Sequence, residues 1–261
     1  MIYFNRGDIL KIQKISKVKD DKYIITFENG EVIETYDDVI LKYRLLPKKE
    51  VDMRLFTDIE LDTNIDKTYF KVVKMISKKM KSKNEVSIYL DSLLIPEYEK
   101  ELIINKLVDN KIIDDLRFAK ALTHDRFNFS SDGVNLIKKK LDDLGIEYSY
   151  IEEAINCITR EEVLNKLDRL MKKKLSNNTK YSDFILKQKV YEYFINLWYD
   201  SEDIINCFEK NKQENNTIEK AYLKVSKRLS KKYSGKELEM NIKSKLYSLG
   251  YSGEQISSII K

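Results

Sequence analysis

The segment KLDDLGIEYSYIEEAI (residues 140–155) recurs in similar form as KLYSLGYSGEQISSII (residues 245–260). When Gly145 is aligned with Gly250, the two stretches match without a gap. Apolar side chains then fill the same columns in both copies: Ile137 and Ile242, Leu141 and Leu246, Leu144 and Leu249, Ile151 and Ile256, and Ile155 and Ile260. A match at a fixed separation is typical of repeat proteins. The stretch therefore predicts a module that the chain uses more than once.

Two further copies follow the same columns. With Trp198 in the glycine column, the apolar positions are filled by Val190, Phe194, Leu197, Ile204 and Phe208. With Leu94 there, Val86, Leu90 and Leu93 fit, and the next helix slips by one or two residues. The column residues 94, 145, 198 and 250 are 51, 53 and 52 residues apart. Four repeats of about fifty residues thus account for most of the chain after residue 66.

Each repeat is predicted to contain three helices. Pro96 is placed to open a helix, and Asp114 and Asp115 are natural N-caps for the helix that follows them. Gly145 and Gly250 are predicted to end the second helix in a left-handed conformation, which glycine adopts without strain. Trp198 stands in the same column, and a left-handed conformation is costly for tryptophan. We therefore expect the third repeat to turn differently.

Residues 1–60 have a different pattern. Apolar and polar residues alternate in three stretches, which predicts three strands: Ile9 to Val18, Tyr23 to Phe27 and Val32 to Tyr36. Asn29-Gly30 indicates a two-residue hairpin turn. YDDVILKYRL (residues 36–45) is helical in pattern, with Asp37 or Asp38 as its cap. This region is predicted to be a small β-rich domain that ends near residue 66.

The predicted fold is therefore mainly α, with tandem three-helix repeats in an elongated, curved array and a small N-terminal three-stranded cap domain. Only 7 Gly and 2 Pro in 261 residues leave little material for a β-sandwich or barrel. The predicted boundaries are residues 1–66 for the cap domain, then 67–113, 114–160, 161–213 and 214–261 for repeats 1 to 4. The sequence contains no apolar run that would span a membrane and no signal-peptide pattern, so we expect a cytoplasmic protein.

The sequence offers no candidate catalytic, cofactor or metal site. His124 is the only histidine and has no partner at ligand spacing. Cys157 and Cys207 form no CxxC pair and are expected to be buried, inert thiols. The glycines form neither a phosphate loop nor a dinucleotide fingerprint. We therefore expect a protein that is not an enzyme and uses no cofactor.

The charge is distributed unevenly along the chain. The net charge is +5, but residues 1–66 carry 11 basic and 14 acidic side chains. The remaining residues hold 37 basic and 29 acidic side chains, a balance of +8. Residues 67–83 alone contain seven lysines and no acidic residue. Such a bias suits a polyanion or an acidic protein surface as partner.

Basic residues recur at helical spacing on the first helix of each repeat, and these are candidate binding residues together with Lys138 and Lys139 of the second helix in repeat 2. The full candidate set is Lys71, Lys74, Lys78, Lys81, Arg117, Lys120, Arg126, Lys138, Lys139, Lys166, Arg169, Lys173, Lys220, Lys224, Lys227 and Lys231. If the repeats stack, these faces would line up as a positive stripe. The alternative is that each is only the solvated side of an amphipathic helix.

Three motifs resemble those of one known family. NKIIDDLRFA (residues 110–119) resembles the "gly-tyr-leu-asp-asp-x-arg-phe-ala" segment of the RecX regulatory proteins. MISKKMKSKNEVSIYL (residues 75–90) is similar to their preceding "arg-x-arg-ser-x-x-glu-leu" segment, with Lys79 and Lys81 in the arginine places. IKKKLDDLGI (residues 137–146) resembles the segment that follows. Residues 23–34 and 37–45 are similar to the extra domain of the longer Firmicute members, so the resemblance covers nearly the whole chain.

The resemblance implies tandem three-helix repeats, the RecA recombinase as partner and no catalysis. Members of the family bind the RecA filament in its groove and inhibit strand exchange and ATP hydrolysis, and some bind DNA directly. This implies a role in homologous recombination, DNA repair and the SOS response. This sequence departs from the family's motifs at two places where contacts with a partner would be expected. The Gly-Tyr of the family is replaced within Asn110-Lys111-Ile112, and Asn135 stands where the family has a basic residue. Within the segment 110–119, Phe118 and Ala119 are expected to pack in the core and Asp115 to cap a helix. Arg117 is expected to face a partner.

The main hypothesis is a monomeric negative regulator that binds the RecA–DNA filament. The second is a sequence-nonspecific DNA-binding protein that acts without RecA, on single- or double-stranded DNA. The third is a helical-repeat scaffold for another protein. Dependence of the effect on RecA separates the first hypothesis from the second.

Overall fold

The computed structural model describes residues 9–19, 21–178, 180–212 and 217–260. The chain divides into an N-terminal unit, residues 1–118, and a C-terminal unit, residues 119–261. Within the described ranges there are thirteen helices and one antiparallel four-stranded sheet. The predicted mainly α fold with an N-terminal β-region is therefore confirmed.

The sheet of the N-terminal unit has the strand order β3-β2-β1-β4. Its strands are β1 (Leu10–Lys19), β2 (Lys22–Phe27), β3 (Val32–Tyr36) and β4 (Glu50–Val51). The first three match the predicted strands. The prediction of three strands is wrong by one, because β4 has only two residues and is too short to show alternation.

The β2–β3 hairpin turns at the predicted place but with one more residue. The Gly30 N–H donates to the Phe27 carbonyl at 3.0 Å, and the Phe27 N–H donates to the Glu31 carbonyl at 2.8 Å. Gly30 has a φ of +87°. This is the three-residue hairpin in which a left-handed glycine follows a tight turn, instead of a two-residue turn.

One long helix connects the sheet to repeat 1. The helices of the N-terminal unit are α1 (Asp37–Lys42), α2 (Met53–Ile76), α3 (Lys83–Ser92) and α4 (Glu97–Asp109). Phe56 and Ile59 of α2 pack into the core of the sheet, whereas Tyr69 and Val72 pack into the core of repeat 1. The predicted boundary at residue 66 thus falls inside α2. The two cores share a helix, and no linker separates them.

The remaining helices follow the predicted three-helix pattern. They are α5 (Asp115–Phe129), α6 (Val134–Asp143), α7 (Tyr148–Ile155), α8 (Arg160–Ser176), α9 (Asp183–Ile195), α10 (Ser201–Asn211), α11 (Thr217–Leu229), α12 (Gly235–Ser248) and α13 (Gly253–Ile259). The division between the two units falls within α5. Most residues of the aligned apolar columns are buried, for example Ile137 and Ile242 on the second helices of repeats 2 and 4, whereas Leu93, Leu144, Leu197 and Ile260 are partly buried.

All four residues of the glycine column are left-handed. Their φ angles are +56° at Leu94, +72° at Gly145, +60° at Trp198 and +91° at Gly250. In each case the column residue donates its N–H to the carbonyl three residues back, and the next residue donates to the carbonyl five residues back. This pair of bonds is the Schellman motif, which satisfies carbonyls at a helix end.

The expectation that the third repeat turns differently is therefore wrong. The Trp198 N–H donates to the Ile195 carbonyl at 2.9 Å, and the Tyr199 N–H donates to the Phe194 carbonyl at 3.2 Å. Tyr199 itself is buried. We infer that these two bonds and the burial of Tyr199 offset the strain of a left-handed tryptophan, which amounts to about 1–2 kcal/mol.

The same turn also joins consecutive repeats of the C-terminal unit. The Gly133 N–H, just before the second helix of repeat 2, donates to the Leu197 carbonyl of repeat 3 at 2.8 Å. The Ser182 N–H, just before the second helix of repeat 3, donates to the Leu249 carbonyl of repeat 4 at 3.0 Å. Both carbonyls belong to the residue before the left-handed position. The C-terminal unit thus uses one backbone joint twice.

A tyrosine supports each of these joints. Tyr199, directly after the column residue of repeat 3, donates its hydroxyl to the Asp132 carbonyl at 3.5 Å. Tyr251 occupies the same place in repeat 4 and donates to the Lys180 carbonyl at 3.2 Å. Both tyrosines are buried, and burial raises the pKa of each phenol. The bonds therefore satisfy hydroxyls that are costly to bury alone.

Lys166 belongs to the same joint and corrects a prediction. Its spacing predicts an exposed basic face shared with Arg169 and Lys173, but its side chain is buried. Its Nζ donates to the Asp132 carbonyl at 2.7 Å and lies 4.5 Å from the centre of the Phe127 ring. Residues of repeat 2 thus cover this position of α8, and Lys166 is not available to a partner.

A change of Gly133 to Ala tests the backbone joint. A Cβ at this position would lie 2.6 Å from the Leu197 carbonyl oxygen, so the two repeats would have to separate. We expect G133A to lower the free energy of unfolding by about 1–3 kcal/mol, the usual cost of overpacking, measured by urea denaturation. The exposed Asn135 lies two residues further on, and N135A is expected to stay within about 0.5 kcal/mol of the parent. Equal stability of the two variants would contradict the joint.

A change of Leu94 to Gly tests the strain at the left-handed position. The Leu94 side chain is 90% exposed, so its removal sacrifices little packing. We expect L94G to raise the free energy of unfolding by about 0.5–1 kcal/mol, because glycine adopts φ +56° without a Cβ clash. L94A keeps the Cβ and should leave stability unchanged. A destabilised L94G would show that the strain is not present.

A change of Lys166 to Met tests the buried charge. Burial lowers the pKa of Lys166 to about 8, although the Asp132 carboxylate opposes this shift. The unfolded chain holds the proton more tightly, so ionised Lys166 reduces stability below pH 8, and the penalty fades as pH rises toward 10.5. We expect K166M to be about 1–2 kcal/mol more stable than the parent at pH 7, with a smaller difference at pH 9.5. K173M, on the exposed side of α8, is expected to stay within about 0.5 kcal/mol of the parent at pH 7, and a constant difference for K166M would refute the assignment.

Candidate partner-binding surface

The candidate cations on repeat 1 lie at the end of α2 and in the turn after it. Lys71 and Lys74 are on α2, which ends at Ile76, so Lys78 and Lys81 lie beyond the helix. The prediction that all four lysines share one helical face is therefore wrong, because only Lys71 and Lys74 are on the helix. Lys78 still extends the surface, because the chain makes another turn: its N–H donates to the Met75 carbonyl at 3.2 Å.

Five lysines of this region are exposed, and no described carboxylate lies within 4.0 Å of them. We call Lys67, Lys71, Lys74, Lys78 and Lys79 the repeat 1 basic surface. Lys81 is excluded, because its Nζ is 2.5 Å from Glu85 Oε1. The surface therefore presents several positive charges that no described acidic group of the same unit neutralises.

The cations of repeat 2 are arranged differently, because its own carboxylates pair with them. Lys138 contacts Glu152 at 2.6 Å and lowers the pKa of that carboxyl group. Lys120 contacts Glu153 at 2.7 Å and Lys139 contacts Asp143 at 3.2 Å, whereas Arg126 lies 3.8 Å from Asp132. These pairs leave the exposed part of repeat 2 with little net positive charge.

The first helices of repeats 3 and 4 keep exposed cations. Arg169 and Lys173 are exposed on α8, and no described carboxylate lies within 4.0 Å of either. The same holds, among the described residues, for Lys220, Lys224, Lys227 and Lys231. Lys231 lies two residues beyond the end of α11. The basic faces predicted for the four repeats therefore differ in how much positive charge is left without a carboxylate partner among the described residues.

The most recognisable motif is mainly structural. Asp114 caps α5 by accepting from the Arg117 N–H at 2.8 Å. Asp115 accepts from the Lys83 N–H at 2.8 Å and so caps α3 instead of its own helix. Burial raises the pKa of Asp115, and the bond from Lys83 opposes this. Phe118 and Ala119 are buried, as expected.

Arg117, in the same motif, is exposed. Its guanidinium donates to the Lys111 carbonyl at 3.2 Å, and Lys111 is left-handed with φ +55°. This bond holds the arginine beside the turn between α4 and α5.

Further cations that the sequence did not single out gather in the C-terminal unit. Lys180, Lys189, Arg228 and Lys245 line a cleft with Lys224. Arg228 follows Lys224 by one turn on α11, whereas Lys180, Lys189 and Lys245 come from other chain segments, and the whole set spans 65 residues. No periodicity in the sequence connects the three segments with α11, so the proximity of these cations is visible only in the folded unit.

The other side chains with chemical potential are dispersed. Among the residues described, no group of three or more His, Cys, Asp or Glu side chains is placed to hold a metal ion. Cys207 is buried as expected, but Cys157 is exposed, because it lies in the turn after α7. His124 is exposed beside Asp125 at 3.5 Å. No helix in the described ranges combines the length and apolarity needed to cross a membrane.

Comparisons with known proteins give one family. No family model matches the chain. The "Regulatory protein RecX" of Oceanobacillus iheyensis is 26% identical over 256 residues, which cover 95% of this chain and 94% of that protein. The protein of the same name from a Geobacillus species is 27% identical over 240 residues, which cover 89% and 88%.

The solved structures agree with these sequence matches. A crystal structure described as regulatory protein RecX superimposes with a TM-score of 0.68 at 21% identity. The match covers 77% of this chain and 99% of the other, and at this identity it shows a shared fold. The chain is therefore similar to the RecX regulatory proteins along almost its entire length and shares their fold.

Proposed function

We propose that this protein is a negative regulator of the RecA recombinase. It binds the RecA–DNA filament, lies in the filament groove and inhibits strand exchange and ATP hydrolysis without catalysing a reaction itself. The proposal rests on the family, whose curated members are named regulatory proteins, and on the unpaired cations of the first helices. The cytoplasm, where such filaments form, is its proposed place of action.

The observation that carries the proposal is the repeat 1 basic surface. Its five lysines are exposed, and in the described part of the chain they have no carboxylate partner. An unpaired cluster of this kind attracts a polyanion or an acidic protein surface. Lys71 Nζ also lies 6.0 Å from the centre of the Tyr89 ring, which restrains one of the lysines.

Several weak contacts are sufficient in this mechanism. The exposed cations of repeats 3 and 4 give the same chain further contact sites. A second contact on one chain forms at a high effective concentration once the first is made, so affinity accumulates without a single tight site. A protein bound in this way would block strand entry or the subunit motion that accompanies ATP turnover.

A second candidate function is nonspecific DNA binding that does not require RecA. The same exposed cations favour it, because phosphate neutralisation needs only positive charge. About four to six phosphate contacts would give a slope of about −4 to −5 in a plot of log affinity against log salt on duplex DNA. Such binding with no effect on RecA would support this function in place of the first, and absence of both would leave a scaffold.

The RecA proposal predicts inhibition of the ATP hydrolysis that single-stranded DNA stimulates in RecA. The protein is added to filaments that have already formed, and we expect inhibition well below one molecule per RecA protomer. The variant K71E/K74E/K78E should need at least tenfold more protein for half-inhibition, because the basic surface then repels the filament. Circular dichroism verifies that the variant is folded.

The control variant is K14E/K17E/K19E. Its three lysines are exposed on β1, and the net charge changes by the same amount. We expect half-inhibition within about twofold of the parent, since residues 1–66 already carry a negative balance. Equal loss in both variants would mean that only net charge matters. Full inhibition by the folded repeat 1 variant would remove this surface from the mechanism, and no inhibition by the parent would refute the RecA proposal.

A further inference from the structure

A cleft in the C-terminal unit gathers cations from four chain segments. It lies between α9, α11 and α12 and has a volume of about 650 Å³. Five basic side chains line it: Lys180 before α9, Lys189 on α9, Lys224 and Arg228 on α11, and Lys245 on α12. Glu192 is the one acidic side chain among its described lining residues.

The five cations have no acidic partner within the described residues. No described carboxylate lies within 4.0 Å of any of them. The carboxylate of Glu192 is occupied in part by Gln188, whose Nε2 donates to it at 3.1 Å. Many other lysines of this unit are paired, for example Lys187 with Glu209. The cleft is therefore a place where like charges gather with little compensation.

Tyr181 marks where the cations converge. The Nζ atoms of Lys180 and Lys189 lie 4.5 Å and 5.1 Å from the centre of its ring. A hydrogen bond with Lys180, together with the charges of Lys180, Lys189 and Lys245, lowers the pKa of the Tyr181 hydroxyl. Three of the five cations thus act on one phenolic oxygen, and the local potential is positive.

The shape of the cleft favours a compact anion. Its volume is within the range of small-molecule sites, about 300–1,000 Å³. The cations surround this volume from different elements instead of following one another along a groove, as an extended strand would require. Ala221, Val225 and Leu249 are buried apolar residues of the lining. Apolar walls strengthen the attraction between the cations and an anion.

We propose that the cleft between α9, α11 and α12 binds a compact oligophosphate, either the triphosphate of a nucleotide or free tripolyphosphate. Arg228 supplies the forked donor that matches a phosphate group, and the four lysines supply charge. This site goes beyond the proposed function and does not depend on RecA. Because α9 belongs to repeat 3 and α11 and α12 to repeat 4, a bound oligophosphate stabilises the pairing of these repeats.

Thermal unfolding of the full chain at low ionic strength tests the proposal. The probes are inorganic tripolyphosphate, ATP without magnesium and inorganic phosphate, with affinities from isothermal titration calorimetry. Tripolyphosphate is expected to raise the unfolding temperature in a saturable way, because a ligand that binds only the folded state stabilises it. Inorganic phosphate at the same concentration is expected to have little effect, since it contacts fewer of the cations.

The chain offers a matched pair of variants on one helix. K224Q/R228Q removes two cations that line the cleft, and K220Q/K227Q removes two exposed cations of α11 that do not line it. We expect at least tenfold weaker tripolyphosphate binding for the first variant and binding within about twofold of the parent for the second. Both variants lose the same net charge, so the comparison isolates position.

Each outcome either supports or overturns the site. Tighter binding of ATP than of tripolyphosphate would support it and identify a nucleotide as the source of the phosphates, whereas equal binding would support the phosphate chain alone. Equal weakening in both variants, or no saturable effect of either oligophosphate on the parent, would overturn the proposal. The proposal would also be overturned if a ten-residue oligothymidylate bound the cleft and tripolyphosphate did not. That result would identify an extended nucleic-acid strand as the ligand. RecA is absent from all of these measurements, so failure here is distinct from failure of the proposed function.

Discussion

The C-terminal unit depends on a backbone hydrogen bond that is made twice. In each joint, the N–H before the second helix of one repeat donates to the carbonyl that precedes the left-handed residue of the next repeat. Backbone groups at helix ends need partners, and here the neighbouring repeat supplies one. In the first joint the approach is so close that a Cβ on Gly133 would lie 2.6 Å from the Leu197 carbonyl oxygen, whereas the second joint accommodates Ser182. The joint also explains why the turn keeps its geometry even where the chain places tryptophan in it.

Charge compensation differs between the repeats. Repeat 2 pairs its cations with Glu152, Glu153 and Asp143, and exposed pairs of this kind contribute little to stability. Their main effect is to remove net charge from that part of the chain. The repeat 1 basic surface and the cations of repeats 3 and 4 have no such compensation among the described residues. The parts of the chain that keep uncompensated positive charge are therefore set by where acidic residues are lacking.

The site was predictable to the extent that it follows helical spacing. Lys71 and Lys74 were identified from their spacing along one helix, and both are exposed. Helical spacing also placed Lys166 beside Arg169, and there it failed because residues of repeat 2 cover that position of α8. Spacing within a helix says nothing about what another repeat places on it. Asp115 is similar: its position suggested a cap for the helix that it begins, but the group it caps is 32 residues away.

The sequence alone determined the repeats, their three helices, the β-rich N-terminal region and the resemblance to the RecX proteins. The repeats, helices and strands follow from the local periodicity of apolar residues. The resemblance follows from the order of short motifs along the chain. The tertiary structure decided the sharing of α2 by two cores, the left-handed turn at Trp198, the burial of Lys166 and the cleft around Tyr181. Each of these depends on groups that are distant in sequence, or on strain that is tolerated because distant groups compensate for it. The physical reason is that local patterns report the preferences of a single element, whereas burial and pairing of charge depend on what packs against it.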